Sequence, residues 1–469
     1  MQRPNILFIH TDQQRWDALG ANGNSQIITP NLDKLALEGI NLDHYFVQNP
    51  VCMPSRISYL SGLYPSTLGI LRNGIPVPED TITLPHLLGN YGYARANIGK
   101  LHFLPHANRD HRDPHPDYGF THLEISDEPG CYEDAYRAWV RRKAPEQLDH
   151  ISVGLPPAAN TWYETMGIRD TIRHRVQGAR SDFKGAIPFS GEDEFTHSAF
   201  VAEQTITFLK QHQNEPFLCI AGFYSPHSPW VVPQTYLDLY DPNALALPVY
   251  PEDIEAKRHT TICRDEQLRS ARHGYYAMIS EVDCWIGNIL ACLDDLGLRD
   301  NTIVIFTSDH GEWLGEHLHY GKGYPAHDCI SRVPFIIRWP KGLKLPGRTL
   351  SELVEAVDIV PTLLDCAGIP VPYHLQGQSL LPMLENRPLN ARGSALTEME
   401  GAKTLRVDGF RYVVHDNGQE HLYNLAQDPA GYRDVATDPA YAPKLAELRH
   451  TLLQRLMQNE RPRRRVWAY

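Results

Sequence analysis

The sequence predicts an α/β fold with a mostly parallel central sheet, followed by a smaller C-terminal α+β unit with a short antiparallel sheet. Two observations support this prediction. Short apolar segments that end in polar residues alternate with helical patterns over residues 1–374, which is typical of a parallel sheet covered on both faces. From residue 375 onwards the pattern changes to short strands separated by turn signals. We therefore expect a main domain over residues 1–374 and a subdomain over residues 375–469.

Each predicted element follows from a local pattern. Residues 4–10 are apolar and end in polar residues, which predicts a short buried strand. Residues 31–39 form an amphipathic pattern after Thr29-Pro30, a common helix start. Residues 84–98 predict a helix, a glycine turn and a strand. Further strands are predicted over residues 216–223, 302–306 and 333–338, and further helices over residues 194–212, 267–296, 354–366 and 441–457.

Two segments depart from this alternation. Residues 103–193 are rich in His, Pro, Arg and Asp and show little periodicity, which predicts inserted loops that determine specificity. Residues 403–423 contain two strand-like pieces joined by Asn417-Gly418, a strong hairpin signal. A basic tail, residues 461–465, is followed by Trp467-Ala468-Tyr469.

Composition excludes several classes of protein. The chain has 469 residues, 42% of them hydrophobic, and a net charge of −12, which gives no general attraction to nucleic acid. No apolar stretch approaches the roughly 20 residues that a membrane span needs. The first residues lack the pattern of a signal peptide, and the eight cysteines form no CxxC pair. We therefore expect reduced thiols and a cytoplasmic location.

Polar residues follow three predicted strands, and those at two of the strands, Asp12-Gln13 and Asp309-His310, indicate a metal site; His227 follows the third. The carboxyl ends of parallel strands meet at one edge of a sheet, where ligands commonly bind. Of the four candidate ligands, three side chains offer oxygen and the histidine offers nitrogen. Such a set suits Ca²⁺, Mg²⁺ or Mn²⁺, and the histidine favours Mn²⁺. Singly, each has an ordinary structural explanation such as helix capping, so the prediction depends on the combination. The four predicted ligands are Asp12, Gln13, Asp309 and His310.

A second set of side chains is basic and predicts an anion site beside the metal. Lys100 and His102 follow a buried strand, and Lys322 lies in a glycine-flanked loop shortly after the predicted metal ligands. Such groups would hold a small oxygenated anion and stabilise negative charge that builds up on it. The full set is Arg56, Lys100, His102, His227 and Lys322.

The order of motifs along the chain resembles the formylglycine-dependent sulfatases of the alkaline phosphatase superfamily. Residues 52–56 read C-M-P-S-R, which resembles the sulfatase signature C-x-P-S-R, and Ser61-Gly62 follows downstream. The resemblance covers nearly the whole chain. It includes Asp12, T-P-N-L-D-x-L-A-x-x-G at 29–39, G-K-x-H at 99–102, His227, S-D-H-G-E at 308–312 and Y-N-L-x-x-D-P at 423–429.

The resemblance implies a three-layer α/β sandwich and a particular chemistry. In this family a maturation enzyme oxidises the cysteine that matches Cys52 to Cα-formylglycine, whose hydrate attacks the sulfur of a sulfate ester. It further implies that Asp12, Gln13, Asp309 and His310 hold Ca²⁺ or Mn²⁺. Arg56 and Lys100 would orient the formylglycine, and His102 would assist regeneration of the aldehyde. His227 and Lys322 would contact the sulfate and protonate the leaving oxygen, and Asn73 would line the substrate pocket.

Two departures from the secreted sulfatases indicate a branch. The pairs Asp12-Gln13 and Asp309-His310 resemble choline sulfatases and phosphonate monoester hydrolases rather than the Asp-Asp and Asp-Asn pairs of many Ca²⁺ sulfatases. The phosphonate branch typically has Tyr-x-Thr where this chain has Lys100-x-His102, which favours a sulfate ester as substrate.

Three functions follow from these residues. The first is a sulfuric ester hydrolase acting on a small molecule, the second a phosphonate monoester or phosphodiester hydrolase on the same scaffold, and the third a binding protein whose Cys52 is never converted. The histidines at 102, 106, 111 and 115 are interpreted as solvated loop residues rather than a second metal site. By analogy with the choline-sulfatase-like branch, the C-terminal tail would contact a neighbouring subunit in a homo-oligomer.

Overall fold

The computed structural model describes residues 3–106, 110–153, 185–258, 260–323, 326–389 and 391–460. The strands in these ranges are β1 (Asn5–Thr11), β2 (Ile40–Leu42), β3 (Tyr45–Phe46), β4 (Ala94–Gly99), β5 (His122–Ile125), β6 (Ala186–Pro188), β7 (Phe217–Gly222), β8 (Trp230–Val232), β9 (Thr302–Ser308), β10 (Phe335–Arg338), β11 (Arg348–Leu350), β12 (Val354–Glu355), β13 (Ser394–Met399), β14 (Ala402–Val407), β15 (Phe410–His415) and β16 (Glu420–Asn424).

The α-helices of the same ranges are numbered in chain order. They are α1 (Pro30–Glu38), α2 (Cys52–Ser61), α3 (Pro65–Leu68), α4 (Leu84–Gly89), α5 (Ala135–Lys143), α6 (His197–Gln211), α7 (Gln234–Leu237), α8 (Glu252–Arg258), α9 (Asp265–Asp295), α10 (Asp328–Ser331), α11 (Ile359–Cys366), α12 (Leu381–Leu384) and α13 (Ala442–Asn459).

An eight-stranded sheet lies at the centre of the main domain, in the order β11-β2-β10-β9-β1-β7-β4-β5. The five strands from β9 to β5 are parallel to one another. Strand β10 runs antiparallel to both of its neighbours. The predicted mostly parallel sheet is therefore confirmed, and its apolar strands are buried on both faces as such a sheet requires.

Alternate side chains of each strand enter two separate cores. Ile6 and Phe8 of β1 pack with residues of α2 and α11 on one face. Leu7 and Ile9 pack with residues of α1, α5, α6 and α9 on the other. These helices and the sheet make the three layers expected from the sequence, because successive strand residues point to opposite faces.

The C-terminal subdomain is built on a four-stranded antiparallel sheet, β13-β14-β15-β16, packed against α13. A buried ion pair joins it to the main domain. Arg455 of α13 contacts Glu355 at 2.8 Å, and both bond the hydroxyl of Tyr64, just beyond α2. The subdomain thus supports the helix that begins at Cys52.

Three expectations about local structure were wrong. Residues 103–193 are not only loops, because β5 pairs with β4 at the sheet edge and α5 follows it; residues 107–109 and 154–184 lie outside the described ranges. The helix predicted from residue 354 begins at Ile359, since Pro361 has no N–H and fits only the first turn. The first piece of the predicted hairpin is two strands, because Asp408-Gly409 forms a turn of its own, with φ of 70° at Gly409.

Helix α9 is long and apolar enough to cross a membrane, judged by length and composition alone. Within the described ranges it is the one helix that meets this criterion, and most of its apolar stretch is buried inside the protein. Because the core helices of many proteins meet the same criterion, this finding is weak evidence for a membrane segment.

Candidate active site

Four parallel strands end side by side at one edge of the central sheet. In the order β9, β1, β7 and β4, each strand pairs with the next. The register places Thr11 opposite Ser308, so the residues that follow them, Asp12 and Asp309, emerge next to each other. Lys100 follows β4 directly. The topology therefore brings residues far apart in sequence to one site, as strand ends in α/β sheets commonly do.

Gly99 determines where Lys100 lies. Its φ is 88°, and a Cβ atom there would be 2.1 Å from the carbonyl oxygen of Gly222. The backbone N–H of Lys100 donates to that same oxygen at 2.8 Å. A larger residue at position 99 would separate β4 from β7, so the glycine holds Lys100 at the sheet edge.

Four buried side chains offer ligand atoms to one point. The ligand atoms of Asp12, Cys52, Asp309 and His310 all lie within 4.8 Å of one another, and this is the one such group in the described ranges. His310 donates from Nδ1 to the carbonyl oxygen of Gly311 at 2.8 Å, which leaves the lone pair on Nε2 facing the group. Burial lowers the pKa of His310, so the ring is neutral near pH 7. Two carboxylates and a neutral imidazole fit a divalent metal ion.

Gln13 lies beside these ligands in a strained conformation. Its φ is 75°, which is uncommon for a residue with a side chain. Its backbone N–H donates to Asp309 Oδ1 at 3.0 Å, and its side-chain amide donates to the buried carboxylate of Glu312. The amide oxygen of Gln13 is thereby left as its ligand atom.

Two buried cations hold the carboxylates in place. Arg56, which is 1% exposed, donates to Asp309 at 2.7 Å and to Asp12 at 3.2 Å. Lys100 Nζ lies 2.7 Å from Asp12 Oδ2. Burial raises the pKa of the Asp12 carboxyl, but the nearby basic side chains, Lys100 first among them, outweigh burial and hold this pKa well below its usual range. Asp12 is therefore ionised and able to bind a cation.

Cys52 is the first residue of α2 and points at this cluster. Its Sγ lies 3.3 Å from His310 Nε2 and 3.9 Å from Asp12 Oδ1. The helix is held there because Ser55 Oγ donates to the carbonyl oxygen of Asp309 at 2.5 Å. Burial and then the charge of Asp12 raise the pKa of the Cys52 thiol to about 11. An unmodified Cys52 would thus stay protonated at neutral pH and be a poor nucleophile.

Lys322 and His227 lie on the other side of the Cys52 sulfur. Lys322 Nζ is 2.6 Å from Sγ and 3.1 Å from His227 Nε2. His227 donates from Nδ1 to the carbonyl oxygen of Ser228 at 2.6 Å, so its Nε2 accepts from Lys322. Lys322 is thus the hydrogen-bond donor both to the Cys52 sulfur and to His227.

His102 and Asn73, the two remaining predicted site residues, differ in burial. His102 is 4% exposed, has φ of 54°, and its Nδ1 has no hydrogen-bond partner within the part of the chain that the structure describes. Burial, His106 and Lys100 lower its pKa well below the usual range, so the ring is neutral. Asn73 is exposed and accepts from the backbone N–H of Met53 at 3.0 Å. It contacts the first turn of α2; its role in a substrate pocket stays a prediction.

Sequence reasoning missed three residues that hold the site together. Glu312 accepts from Gln13, Asp127 accepts from the backbone N–H of His102 at 2.9 Å, and Tyr224 has its ring 4.8 Å from Lys100 Nζ. Glu312 lies inside a motif quoted above, but its spacing alone does not reveal a partner 299 positions away. Glu312 and Tyr224 lie within three positions of a predicted site residue, which is a usable sequence signal, whereas Asp127 is 25 positions from His102 and gives none.

The arrangement combines a buried nucleophile position, ligands for a divalent cation and basic groups for an anion. Such a site can attack an oxygenated ester, neutralise the charge that develops and protonate the departing alcohol. The fold and the site together define an enzyme of the alkaline phosphatase superfamily.

Comparison with known proteins gives the family. The chain matches the family described as Sulfatase over residues 4–369, and that described as N-sulphoglucosamine sulphohydrolase, C-terminal, over residues 315–459. It belongs to the sulfatase family, as the signature at Cys52 predicted. It is 30% identical to an arylsulfatase of Clostridium perfringens, over 98% of this chain and 95% of that protein.

Two further similarities support the predicted branch. The chain is 27% identical to the choline-sulfatase of Rhizobium meliloti, over 93% of this chain and 83% of that protein. The crystal structure of a phosphonate monoester hydrolase of Agrobacterium radiobacter is similar, with a TM-score of 0.81, 28% identity, and coverage of 97% of this chain and 96% of that one. The chain is therefore a sulfatase enzyme related to both groups.

Proposed function

We propose that this protein hydrolyses a sulfate monoester to an alcohol and inorganic sulfate, with a formylglycine made from Cys52 as its nucleophile. One observation supports this most strongly. The Cys52 side chain lies between a metal-ligand group and a cationic pair, 3.3 Å from His310 and 2.6 Å from Lys322. A nucleophile in that position meets an anionic ester whose oxygens contact both sets of groups.

The proposed conversion of Cys52 replaces a protonated thiol by a hydrated aldehyde with two hydroxyls. One hydroxyl releases its proton to solvent, and its oxygen forms a bond to sulfur as the bond from sulfur to the alcohol oxygen breaks. The second hydroxyl then loses its proton, the carbon–oxygen bond to the sulfate breaks, and the aldehyde returns. Addition of water restores the hydrate. One water molecule is consumed in each cycle, and the products are the alcohol and sulfate.

Residues of this chain supply the proton transfers in this scheme. Lys322 donates hydrogen bonds to His227 and to the Cys52 sulfur, so we assign it protonation of the leaving alcohol oxygen. His102 is neutral and buried, so we assign it the proton of the second hydroxyl. Arg56 and Lys100 hold the carboxylates of Asp309 and Asp12 in place. A divalent ion held by Asp12, Gln13, Asp309 and His310 would acidify a hydroxyl and offset negative charge.

Mass spectrometry and mutation test this function together. The Cys52 peptide of protein expressed with a maturation enzyme should be lighter, by the loss of hydrogen sulfide and the gain of an oxygen atom. Cys52→Ala should abolish hydrolysis while leaving the melting temperature close to that of the wild type. An unconverted peptide with no activity would instead support the binding protein, and a variant with near-normal rates would disprove the mechanism.

A phosphonate monoester or phosphodiester hydrolase is the second candidate. The similarity to the phosphonate monoester hydrolase of Agrobacterium radiobacter favours it, whereas the basic pair of Lys100 and His102 favours sulfate. Steady-state rates on matched aryl sulfate and aryl phosphonate esters separate the two. A large preference for the phosphonate would overturn the first proposal.

Several narrower proposals accompany this function. We propose Ca²⁺ or Mn²⁺ as the metal, a small-molecule sulfate ester as substrate, a formylglycine-generating enzyme as a maturation partner and a cytoplasmic location. A substrate panel of sulfated sugars, choline sulfate and aryl sulfates would define the alcohol. The proposed contact of the tail with a neighbouring subunit involves residues 461–469, which lie outside the described ranges.

A further inference from the structure

We propose that Glu312 is a positioning residue: its carboxylate turns the Gln13 amide oxygen toward the metal and joins this ligand to the loop that carries Lys322. The proposal rests on the metal site of the proposed function, but it concerns a residue that need touch neither metal nor substrate. It can be tested by metal binding alone, without any substrate.

The carboxylate of Glu312 is fully buried and accepts hydrogen bonds on both oxygens. Oε2 accepts from the side-chain amide of Gln13. Oε1 accepts from the backbone N–H of Leu314 at 3.0 Å and from that of Gly321. The loop between them is closed by the N–H of Trp313, which donates to the carbonyl oxygen of Gly321 at 2.9 Å. One side chain therefore binds a metal ligand and both ends of a loop.

These contacts determine which end of the Gln13 amide faces the metal. An amide has a donating nitrogen and an accepting oxygen, whereas an ionised carboxylate only accepts. With its nitrogen bound to Glu312, Gln13 keeps its oxygen for a cation. The backbone of Gln13 cannot easily move to compensate, because its N–H donates to Asp309 at 3.0 Å and its carbonyl oxygen accepts from Tyr275 at 2.7 Å. The orientation of the amide is thus set by Glu312.

The second contact of Glu312 reaches the anion site. Gly321 immediately precedes Lys322, whose Nζ lies 2.6 Å from Cys52 Sγ. Displacing the loop would therefore move the lysine that we assign to the leaving oxygen. Through one carboxylate, the structure couples the orientation of a metal ligand to the placement of the proton donor.

Glu312→Gln tests the first part of this proposal. A glutamine at 312 keeps the shape of the side chain, and its oxygen is needed by the N–H groups of Leu314 and Gly321. Its NH₂ group therefore faces Gln13, and the Gln13 amide must turn its nitrogen toward the metal. We expect the dissociation constant for Mn²⁺, measured by equilibrium dialysis and elemental analysis of the full chain, to rise about 10–100-fold. Glu316→Gln is the matched control, because Glu316 lies in the same loop and instead pairs with Arg15 and Arg272. Its Mn²⁺ affinity should stay unchanged.

The exchange Gln13→Glu with Glu312→Gln restores the pattern. The glutamine at 312 then donates to the carboxylate at 13, which keeps its other oxygen for the metal, and the net charge is that of the wild type. We expect this double variant to recover more than half of the lost Mn²⁺ affinity on a logarithmic scale, whereas a merely structural role for Glu312 would not respond to the exchange.

Two results would overturn the proposal: wild-type Mn²⁺ affinity in Glu312→Gln, or a folded double variant that binds Mn²⁺ no better than Glu312→Gln. If the single variant does not fold, the double variant decides alone, since recovery of folding and of Mn²⁺ binding supports the pairing and a folded protein without Mn²⁺ binding contradicts it. A failure to hydrolyse sulfate esters with normal Mn²⁺ binding would count against the proposed function instead.

Discussion

Replacing Arg56 with Met removes a buried charge that serves two carboxylates at once. The guanidinium donates to Asp309 at 2.7 Å, to Asp12 at 3.2 Å and to the carbonyl oxygen of Lys100 at 3.0 Å, and it is 1% exposed. Methionine fills a similar space without charge. Removing one partner of a buried ion pair costs about 3–5 kcal/mol, because the other partner stays buried without compensation. We therefore expect the metal-free variant to be destabilised by this amount.

The size of the change in melting temperature follows from chain length. Unfolding entropy is about 2.1 cal/mol/K per residue, so 469 residues give about 1 kcal/mol/K. A loss of about 3–5 kcal/mol then lowers the melting temperature by about 3–5 °C. A divalent cation brings two positive charges to the same carboxylates. The variant should bind Mn²⁺ more tightly than the wild type does, and saturating Mn²⁺ should narrow the difference in melting temperature.

Scanning calorimetry with a chelator and then with Mn²⁺ measures both effects. Arg455→Met is the matched control, because Arg455 is also buried and pairs with Glu355 at 2.8 Å, outside the metal-ligand group. Arg455→Met should lose a similar amount of stability, and Mn²⁺ should not narrow the difference in melting temperature between this variant and the wild type. The reasoning is refuted if Arg56→Met has the melting temperature of the wild type in the presence of chelator. It is also refuted if Mn²⁺ brings the melting temperatures of both variants equally closer to that of the wild type.

Three further predictions follow from other contacts. Lys322→Ala should slow the hydrolysis of alkyl sulfates by about 10²–10⁴-fold and that of aryl sulfates with acidic phenols much less, because only a poor leaving group needs the proton. Equal losses of rate across a series of phenols would contradict this role. Tyr224→Phe removes a hydroxyl 3.1 Å from His227 Nδ1 and 2.8 Å from the carbonyl oxygen of Ser228. We expect kcat to fall several-fold and the affinity for Mn²⁺ to stay unchanged, and a changed affinity would indicate a wider disturbance. Burial raises the pKa of Asp328, but Arg406 and Arg411 outweigh burial and hold it below its usual range, so its stabilisation is present above about pH 4 and is lost as the pH falls. Asp328→Asn should therefore lower the free energy of unfolding by about 1.5–3 kcal/mol at pH 7. In thermal unfolding from pH 7 down to about pH 3, the difference in stability between the variant and the wild type should shrink. A difference that stays constant with pH would contradict the ion pairs.

Local patterns predicted the central sheet well because its strands are continuous apolar runs. Strand β1 was expected at residues 4–10 and is found at Asn5–Thr11, and β9 was expected at 302–306 and is found at Thr302–Ser308. The sequence patterns failed to predict a strand that is short and has few apolar residues. Strand β5 has half-buried residues at the edge of the sheet, and its pairing with β4 depends on a neighbour rather than on its own sequence.

In the active site, too, the sequence identified some residues and did not reveal others. The signature at Cys52 and the strand-end positions of Asp12 and Asp309 identified the sulfatase family, because those residue types in that order are the pattern of the family. The partners that orient them could not be found in this way. Glu312 meets Gln13 across 299 positions, and Tyr224 places its hydroxyl 3.1 Å from His227.

The sequence by itself therefore determined the family and supplied the candidate nucleophile and the candidate ligands, since each depends on residue type and local spacing. Only the tertiary structure decided which atoms face one another. The parallel pairing of β1 with β9 puts Asp12 beside Asp309, the acceptor-only carboxylate of Glu312 fixes the Gln13 amide, and the carbonyl oxygen of Ser228 fixes the tautomer of His227. These are directional contacts between distant segments, and such contacts form only when the folded sheet brings the strand ends together.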